Sequence, residues 1–187
     1  MTRAKTTLVG NWKMNGDAAM ARALVEAVAT AAAPGVEIVL CPPATLLCEV
    51  QRALSGFDIR LGGQDCHSEK SGAFTGDISA PMLKEAGCAY VIVGHSERRR
   101  THGETNEMVC AKATAAIGAG LIPIICIGET ESQRKAGNAE EAVRKQLRES
   151  VPTNHQPPAT NHFILAYEPV WAIGSGQTPT VADIAAM

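Results

Sequence analysis

Six short apolar runs alternate with stretches of helical pattern along this 187-residue chain, and that alternation is the strongest constraint on its fold. Runs such as Val36–Cys41 and Tyr90–Gly94 have the length and composition of strands buried in a parallel sheet. Asp17 marks the start of the first predicted helix and Gly120 the end of a later one. The predicted strands begin near residues 7, 36, 59, 90, 121 and 162. Repeated βα order demands a parallel sheet covered by helices, so the predicted fold class is α/β.

The composition and the cysteine spacing exclude several classes of protein. Hydrophobic residues make up 45% of the chain, and 17 Lys and Arg stand against 19 Asp and Glu, so no basic face indicates a nucleic acid partner. No apolar run reaches the roughly 18 to 20 residues of a membrane span, and no secretory h-region is present, so we expect a cytoplasmic protein without a membrane partner. The six cysteines contain no CxxC pair and the five histidines no paired ligand spacing. We therefore expect no disulfide framework, no metal and no cofactor.

Polar residues that could do chemistry collect directly after the predicted strands. Asn11 and Lys13 follow the first strand, His95 and Glu97 follow the fourth, and Glu168 ends the sixth. Ligands bind at the C-terminal ends of strands in parallel α/β folds, because the loops there surround one rim. A cation, an imidazole and a carboxylate on that rim could bind an anionic substrate, polarise its carbonyl group and remove a neighbouring proton.

The strongest single motif surrounds Glu168. Pro169 fixes the backbone directly after this carboxylate, so the chain must leave the sheet at a rigid corner. Residues 170–176 then combine apolar side chains with two glycines, which is the composition of a lid that packs over a site. The alternative is an ordinary surface turn with an isolated acid, which a tryptophan and an isoleucine at the loop tip disfavour.

Each of the other candidates also has a structural alternative. The alternative for Lys13 is a plain surface lysine. Its position just after a buried strand disfavours this, because a charge there needs a partner. His95 would be an ordinary structural histidine. However, a short helix is predicted to begin at Ser96, and the positive end of its dipole would favour a neutral imidazole that can act as an electrophile. Glu97 would only support the start of that helix.

Three separate motifs resemble the triosephosphate isomerase family. They are Gly10-Asn11-Trp12-Lys13-Met14-Asn15, Gly94-His95-Ser96-Glu97-Arg98-Arg99 and Ala166-Tyr167-Glu168-Pro169-Val170-Trp171-Ala172-Ile173-Gly174. Their order and spacing are far more specific than any one motif, and the resemblance extends from about Thr6 to the last residue. It implies the (β/α)8 TIM barrel fold. It also implies the interconversion of dihydroxyacetone phosphate and glyceraldehyde 3-phosphate through an enediolate, a reaction of glycolysis and gluconeogenesis.

The family resemblance also implies roles for the residues at the strand ends. Glu168 would move the proton between the two carbons, His95 would polarise the carbonyl oxygens, and Lys13 would stabilise the anionic transition state. Glu97 is a further predicted catalytic residue, although its role is the least defined. The predicted substrate contacts are Asn11, Lys13, Gly174 and Ser175. Closure of the lid would protect the enediolate from water, in which it can lose its phosphate.

A second implication of the family concerns subunit pairing. The loop after the third predicted strand includes Gly72–Asp77 and would project into the neighbouring subunit of a homodimer. Thr75 would reach the neighbouring site near Asn11, and Asp77 would meet Arg98 across the interface. Family members usually have glutamate at the position of Asp77, so the shorter side chain weakens the case for that direct pair while the homodimer is still expected. The structural alternative is a polar surface loop.

The chain departs from the family in its number of βα units. A (β/α)8 barrel typically needs about 250 residues, whereas this chain has 187 and about six units. We therefore expect one barrel domain over residues 1–187, incomplete at the C-terminus, without the late loops where barrels commonly bind phosphate. One hypothesis is an isomerase that is weakly active or inactive as the isolated chain; the alternative is an inactive barrel fragment acting as a binding or interaction module. Another phosphosugar barrel enzyme is a third possibility, which the Asn11 and Lys13 pair disfavours.

Overall fold

Six parallel strands form one sheet in the computed structural model, which describes residues 6–153, 163–174 and 176–187. Each strand pairs with the next along the chain, from β1 to β6. The strands are β1 (Thr6–Asn11), β2 (Val36–Cys41), β3 (Ile59–Gly63), β4 (Tyr90–Val93), β5 (Ile122–Ile127) and β6 (Ile164–Tyr167). The predicted α/β class and the six strands are thus confirmed. The start predicted near residue 162 lies outside the described residues, within which β6 begins at Ile164.

The described helices fall between the strands in the predicted order. They are α1 (Ala18–Ala31), α2 (Leu47–Ala53), α3 (Ala80–Glu85), α4 (Ser96–Thr101), α5 (Asn106–Gly118), α6 (Glu131–Lys135), α7 (Ala139–Ser150) and α8 (Val181–Ala185). Single 3-10 turns cover Ala44–Leu46 and Val170–Ala172. In the part of the chain that the structure describes, no helix combines the length and the apolar character needed to cross a membrane.

The helix boundaries follow from local side-chain chemistry. The Asp17 carboxylate accepts a hydrogen bond of 2.8 Å from the backbone N–H of Met20, which caps α1 as predicted. Thr105 caps α5 in the same way through the N–H of Met108. A break at Gly137 separates α6 from α7, where this residue adopts a φ of 76° that favours glycine.

The core lies between the sheet and the helices that cover it. Fully buried aliphatic side chains come from both layers, among them Val25 of α1, Leu61 of β3, Val91 of β4, Val109 of α5 and Ile125 of β5. Each such side chain contributes about 1.5–3 kcal/mol relative to an exposed position. This packing fixes the carboxyl ends of the strands, and therefore the loops that carry the polar residues.

The outer strands differ from the inner ones in burial. Apolar runs of this kind predict strands buried in a parallel sheet, but the residues of β6 are only partly buried and Leu165 is 42% exposed. Leu8 in β1 is likewise 56% exposed. Because β1 and β6 are the two edges of the sheet in the described residues, each lacks packing on the side where an inner strand has a neighbour. The apolar pattern alone does not distinguish an edge strand from an inner strand.

Candidate active site

Lys13 is held in an unusual backbone conformation directly after β1. Its φ is 53°, the left-handed region that a non-glycine residue enters at a cost of about 1–2 kcal/mol. The Asn11 side chain accepts a hydrogen bond of 3.0 Å from the Lys13 N–H. The Gln64 amide donates to the carbonyl oxygens of Lys13 and Cys41, both at 2.8 Å. These contacts fix the strained turn, and the Lys13 ammonium then lies 2.7 Å from a carboxylate oxygen of Glu97.

His95 is buried at the N-terminus of α4, as the sequence predicted. Its Nδ1 accepts a hydrogen bond of 3.2 Å from the backbone N–H of Glu97, so in the neutral imidazole the hydrogen is on Nε2. That Nε2 lies 2.9 Å from Oε1 of Glu168.

Glu168 connects the end of β6 with the start of α4. Its Oε2 accepts a hydrogen bond of 3.0 Å from the backbone N–H of Ser96, while Oε1 faces His95. Burial alone would raise the pKa of Glu168, but the hydrogen bonds from His95 and Ser96 hold that pKa below its usual value. The carboxylate is therefore ionised at neutral pH, which a general base requires.

One cleft of about 440 Å³ collects most of the predicted polar residues. Its lining includes Asn11, Lys13, Gln64, His95 and Glu97. Glu168 joins this group through His95 and Ser96. The cleft opens at the carboxyl ends of β1, β3 and β4, where parallel βα folds bind ligands.

Of the predicted lid residues that contact substrate, the structure describes Gly174, which is not hydrogen-bonded to this cluster. Gly174 is exposed, with a φ of 70° that favours glycine, and among the described residues no hydrogen bond connects it with Lys13, His95 or Glu168. Ser175 lies outside the described residues. The first part of the lid is instead attached to a residue that follows β5.

A buried carboxylate anchors the start of the lid. Glu129 follows β5 and is fully buried, and it accepts hydrogen bonds from the Tyr167 hydroxyl at 2.9 Å and from the Trp171 indole N–H at 2.8 Å. The Arg134 guanidinium lies 3.4 Å from the same carboxylate and 4.5 Å from the centre of the Trp171 ring. Burial, followed by the hydrogen bond to Glu129, raises the pKa of Tyr167 to about 12. Glu129 thus holds the residues on both sides of the Glu168–Pro169 corner.

The predicted interface residues have contacts within the chain. Arg98 donates from Nη2 to Asp65 at 2.9 Å and from Nε to Glu104 at 2.6 Å. Asp77 lies 3.8 Å from Nε2 of His67. Thr75 is exposed in the loop between β3 and α3. The structure therefore supplies Arg98 with two carboxylates of its own chain, and the predicted contact with Asp77 of another subunit stays a prediction.

Sequence reasoning missed several residues that support the site. Glu129 follows a strand end as Glu168 does, so the same positional rule could have identified it. Gln64 follows β3 in the same manner. The Ser96 N–H and the Cys126 thiol carry no such signal, because only the fold brings them to Glu168. Burial, with the nearby charge of Glu168, raises the pKa of the Cys126 thiol.

The fold and the cluster together define a class of protein: a βα-barrel chain with an acid, an imidazole and an ammonium group around the carboxyl ends of its strands. Among the described residues, no group of three His, Cys, Asp or Glu side chains is arranged to hold a metal ion. The side chains of this cluster can provide proton transfer, hydrogen bonding and charge stabilisation.

Comparisons with known proteins identify the family within that class. A family model described as triosephosphate isomerase matches residues 6–187. The triosephosphate isomerase of Acidiphilium cryptum is 50% identical over 184 residues, which cover 96% of this chain and 72% of that protein. That of Ruegeria pomeroyi is 54% identical over 177 residues, 94% of this chain and 69% of that protein. The chain belongs to the triosephosphate isomerase family, and the predicted resemblance is confirmed.

A solved structure extends the similarity to three dimensions. The crystal structure of triosephosphate isomerase from Bartonella henselae matches with a TM-score of 0.87 and 42% identity. The match covers 98% of this chain and 72% of that one. The six βα units are therefore those of a TIM barrel, and the chain spans about 70% of the length of the relatives it matches.

Proposed function

We propose that this chain carries the proton-transfer machinery of a triosephosphate isomerase, with Glu168 as the base and His95 as the electrophile. The observation that carries the proposal is the 2.9 Å contact between His95 Nε2 and Glu168 Oε1, with the N–H of Ser96 on the second carboxylate oxygen. An ionised carboxylate and the Nε2 of an imidazole thus lie side by side at one end of the sheet. The names of the relatives support triose phosphate as the substrate.

The proposed reaction follows from those two groups. The Glu168 carboxylate takes a proton from the carbon next to the carbonyl group, while the Nε2–H of His95 hydrogen-bonds to the carbonyl oxygen and stabilises the enediolate. Glu168 then returns the proton to the adjacent carbon, which exchanges ketose for aldose without loss or gain of atoms. No cofactor is needed for this exchange, and we propose that none is used.

The remaining site residues have proposed supporting roles. The Lys13 ammonium, now paired with Glu97 at 2.7 Å, would turn to the anionic substrate, and Asn11 would fix the Lys13 turn and help to orient the substrate. Glu97 would act through Lys13 and through its N–H to His95 Nδ1. Gly174 and Ser175 would contact the phosphate when the lid closes, as the family resemblance implies.

Isomerase activity of the purified chain tests the proposal. The assay starts from glyceraldehyde 3-phosphate and uses protein from a host that lacks its own enzyme. Glu168→Gln should lower the rate by at least about 10²–10⁴-fold, the range for loss of a general base. The matched control is Glu131→Gln, at an exposed carboxylate in α6, which should leave the rate unchanged. Equal, measurable rates in the chain and in the Glu168 variant would contradict the proposal.

A chimera covers the case in which the chain alone shows no turnover. Fusion of the C-terminal segment of the Acidiphilium cryptum relative after Met187 supplies the two further βα units that a (β/α)8 barrel needs. Activity of this chimera that is lost with Glu168→Gln supports the assignment of the base. A chimera that folds and is equally inactive with and without the substitution overturns it and favours the alternative of a non-catalytic binding module, which no observation favours at present.

Homodimer formation and a cytoplasmic location are further parts of the proposal. Exposed apolar side chains support a partner surface: Met14, in the lining of the cleft, is 94% exposed, and Phe74, in the loop after β3, is 41% exposed. All six cysteines are free thiols, which suits a reducing compartment. Sedimentation velocity should give a mass of twice 19.6 kDa, and Thr75→Arg should give the monomer, whereas Thr114→Arg, exposed on α5, should not. A monomer without substitution contradicts the dimer.

A further inference from the structure

The side chain of Gln146 makes two hydrogen bonds to the backbone of Gly128, which lies beside the candidate base Glu168. The side-chain oxygen of Gln146, on α7, accepts from the N–H of Gly128 at 2.8 Å. Its amide nitrogen donates to the carbonyl oxygen of the same glycine at 3.0 Å. Both polar groups of Gly128 are therefore paired with a single side chain, and the position of Gly128 relative to α7 is fixed in two directions.

Gly128 in turn is packed directly against the backbone of Glu168. A Cβ atom placed on Gly128 would overlap the carbonyl oxygen of Glu168, far inside van der Waals contact. The residue before it, Ile127, accepts the N–H of Glu168 at 2.8 Å. The two backbone groups of Glu168 are thus located by two consecutive residues at the end of β5, so a movement of Gly128 would move the base.

We propose that Gln146 is a positioning residue for Glu168, acting through Gly128. An amide suits this task because it is at once an acceptor for the Gly128 N–H and a donor for the Gly128 carbonyl. A carboxylate of the same length would accept but could not donate, and an apolar side chain would do neither. The inference rests on the proposed function of Glu168 as the base.

The docking of α7 does not depend on this side chain. Val143 and Ser150 of α7 are buried, and the helix packs against α5 and β5. Ser150 also accepts a hydrogen bond of 3.2 Å from Arg99. Since α7 has these other attachments, loss of the Gln146 amide should release Gly128 without releasing the helix.

The test compares length-matched variants of the full chain. Gln146→Met removes both hydrogen bonds, Gln146→Glu keeps only the acceptor, and Lys145→Met makes the same kind of change at the exposed neighbouring position. The first readout is the ¹⁵N shift of His95 Nε2, assigned with His95→Gln, because this nitrogen lies 2.9 Å from Glu168. We expect the shift to move in Gln146→Met and to stay unchanged in Lys145→Met. The measurement of this ¹⁵N shift needs no turnover, so it tests the positioning role of Gln146 even where the proposed function fails.

The second readout is the rate of isomerisation, where turnover is present. Displacement of the base by about 1 Å can cost about 10²-fold, so kcat should fall by about 10- to 100-fold in Gln146→Met while KM changes less than about twofold. A carboxyl group donates once it is protonated, so the ratio of the Gln146→Glu rate to the unsubstituted rate should rise as the pH falls. The corresponding ratio for Gln146→Met should stay flat.

Two outcomes overturn the proposal. One is a Gln146→Met variant whose His95 shift and kcat match those of Lys145→Met. The other is a parallel fall in kcat and in the folded fraction by circular dichroism, which would assign Gln146 a merely structural role. Should Gln146→Met not fold, Gln146→Glu takes its place, and Gly128→Ala tests the step from Gly128 to Glu168, because its methyl group displaces the Glu168 carbonyl directly. An unchanged His95 shift in that variant contradicts the proposal.

Discussion

At the scale of single residues, the groups of the site are paired with one another. The Lys13 ammonium pairs with the carboxylate of Glu97, and the backbone N–H of Glu97 donates to Nδ1 of His95. The Nε2 of His95 in turn contacts the carboxylate of Glu168. The N–H of Ser96 completes the set at the second oxygen of Glu168. A substrate must therefore replace partners that already satisfy these polar groups. The net binding energy is the difference between the two sets of contacts, while the geometry of the catalytic groups is fixed beforehand.

The Ser96 N–H can be removed while its helix is retained, which gives the first prediction. Ser96 is the first residue of α4, where proline is well tolerated, and the ψ of 142° at His95 suits a residue before proline. Ser96→Pro deletes the donor to Glu168, so the pKa of Glu168 should rise, whereas Ser96→Ala keeps the N–H and should raise it less. A ¹³C titration of the Glu168 carboxyl measures both. Equal pKa values in the two variants would show that the N–H is not a major stabiliser.

The pH dependence follows from the direction of the same shift. The folded pKa of Glu168 is below its ordinary value, so this carboxylate stabilises the fold above the unfolded pKa of about 4.3. That contribution is lost as the pH falls through the folded pKa. The acid limb of kcat/KM should likewise lie below the ordinary range of a glutamate and move upward in Ser96→Pro.

At the scale of elements, the lid depends on the loop after β5, and Glu129→Gln tests this dependence. A glutamine amide has one acceptor oxygen where the carboxylate has two, so at least one of the Tyr167, Trp171 and Arg134 donors loses its partner. We expect a loss of about 1–3 kcal/mol in the free energy of unfolding. Trp171 emission, measured in a Trp12→Phe background, should shift to longer wavelength as the indole is released.

The control for this prediction is Glu131→Gln, two residues further along the chain. Glu131 is exposed and pairs with Lys135 at 2.6 Å on the surface of α6, so its substitution should leave the Trp171 emission unchanged. A Glu129→Gln variant with unshifted emission and unchanged stability would mean that the indole is held by its ring packing on Arg134 alone.

Buried charges connect β3, α4 and α5, and Lys112→Met tests their energetic weight. The Lys112 ammonium lies 2.7 Å from Asp65 and 2.6 Å from Glu104, with all three side chains largely buried. Its removal leaves two carboxylates with Arg98 alone, so unfolding in urea should show a loss of about 3–5 kcal/mol. Lys135→Met, at the exposed pair on α6, should cost at most about 0.5 kcal/mol. Similar losses in the two variants would contradict this account.

The destabilisation of Lys112→Met should depend on pH in a defined direction. Burial already raises the pKa of Asp65, against the lowering effect of Lys112. Without the ammonium, that folded pKa rises further above its unfolded value, so the penalty is greatest at neutral pH. It should shrink as the pH falls and the carboxyl groups are protonated.

At the scale of the whole molecule, much of the fold could be predicted from the sequence because it depends on local patterns. Apolar runs, Asp17 as a cap and the break at Gly137 place six strands and their helices, with boundaries within about two residues in most elements. The rule that polar residues gather at strand ends located Lys13, His95 and Glu168. The hydrogen bonds of Gln146 with Gly128 and of Ser96 with Glu168 could not be predicted. Each bond connects residues that are distant in the sequence, and only the packed fold brings them together.

The edges of the sheet offer a final prediction about the whole molecule. Within the described residues β1 pairs only with β2, and β6 only with β5. About every second N–H group of these two strands therefore has no neighbouring strand to donate to, whereas the inner strands are hydrogen-bonded on both sides. Amide hydrogen exchange should therefore be fastest in β1 and β6 and slowest in β3 and β4. Exchange followed by mass spectrometry at two protein concentrations separates the causes. Edge protection equal to that of β4 at both concentrations would contradict open edges. Protection that grows with concentration would instead show that a second copy of the chain covers them.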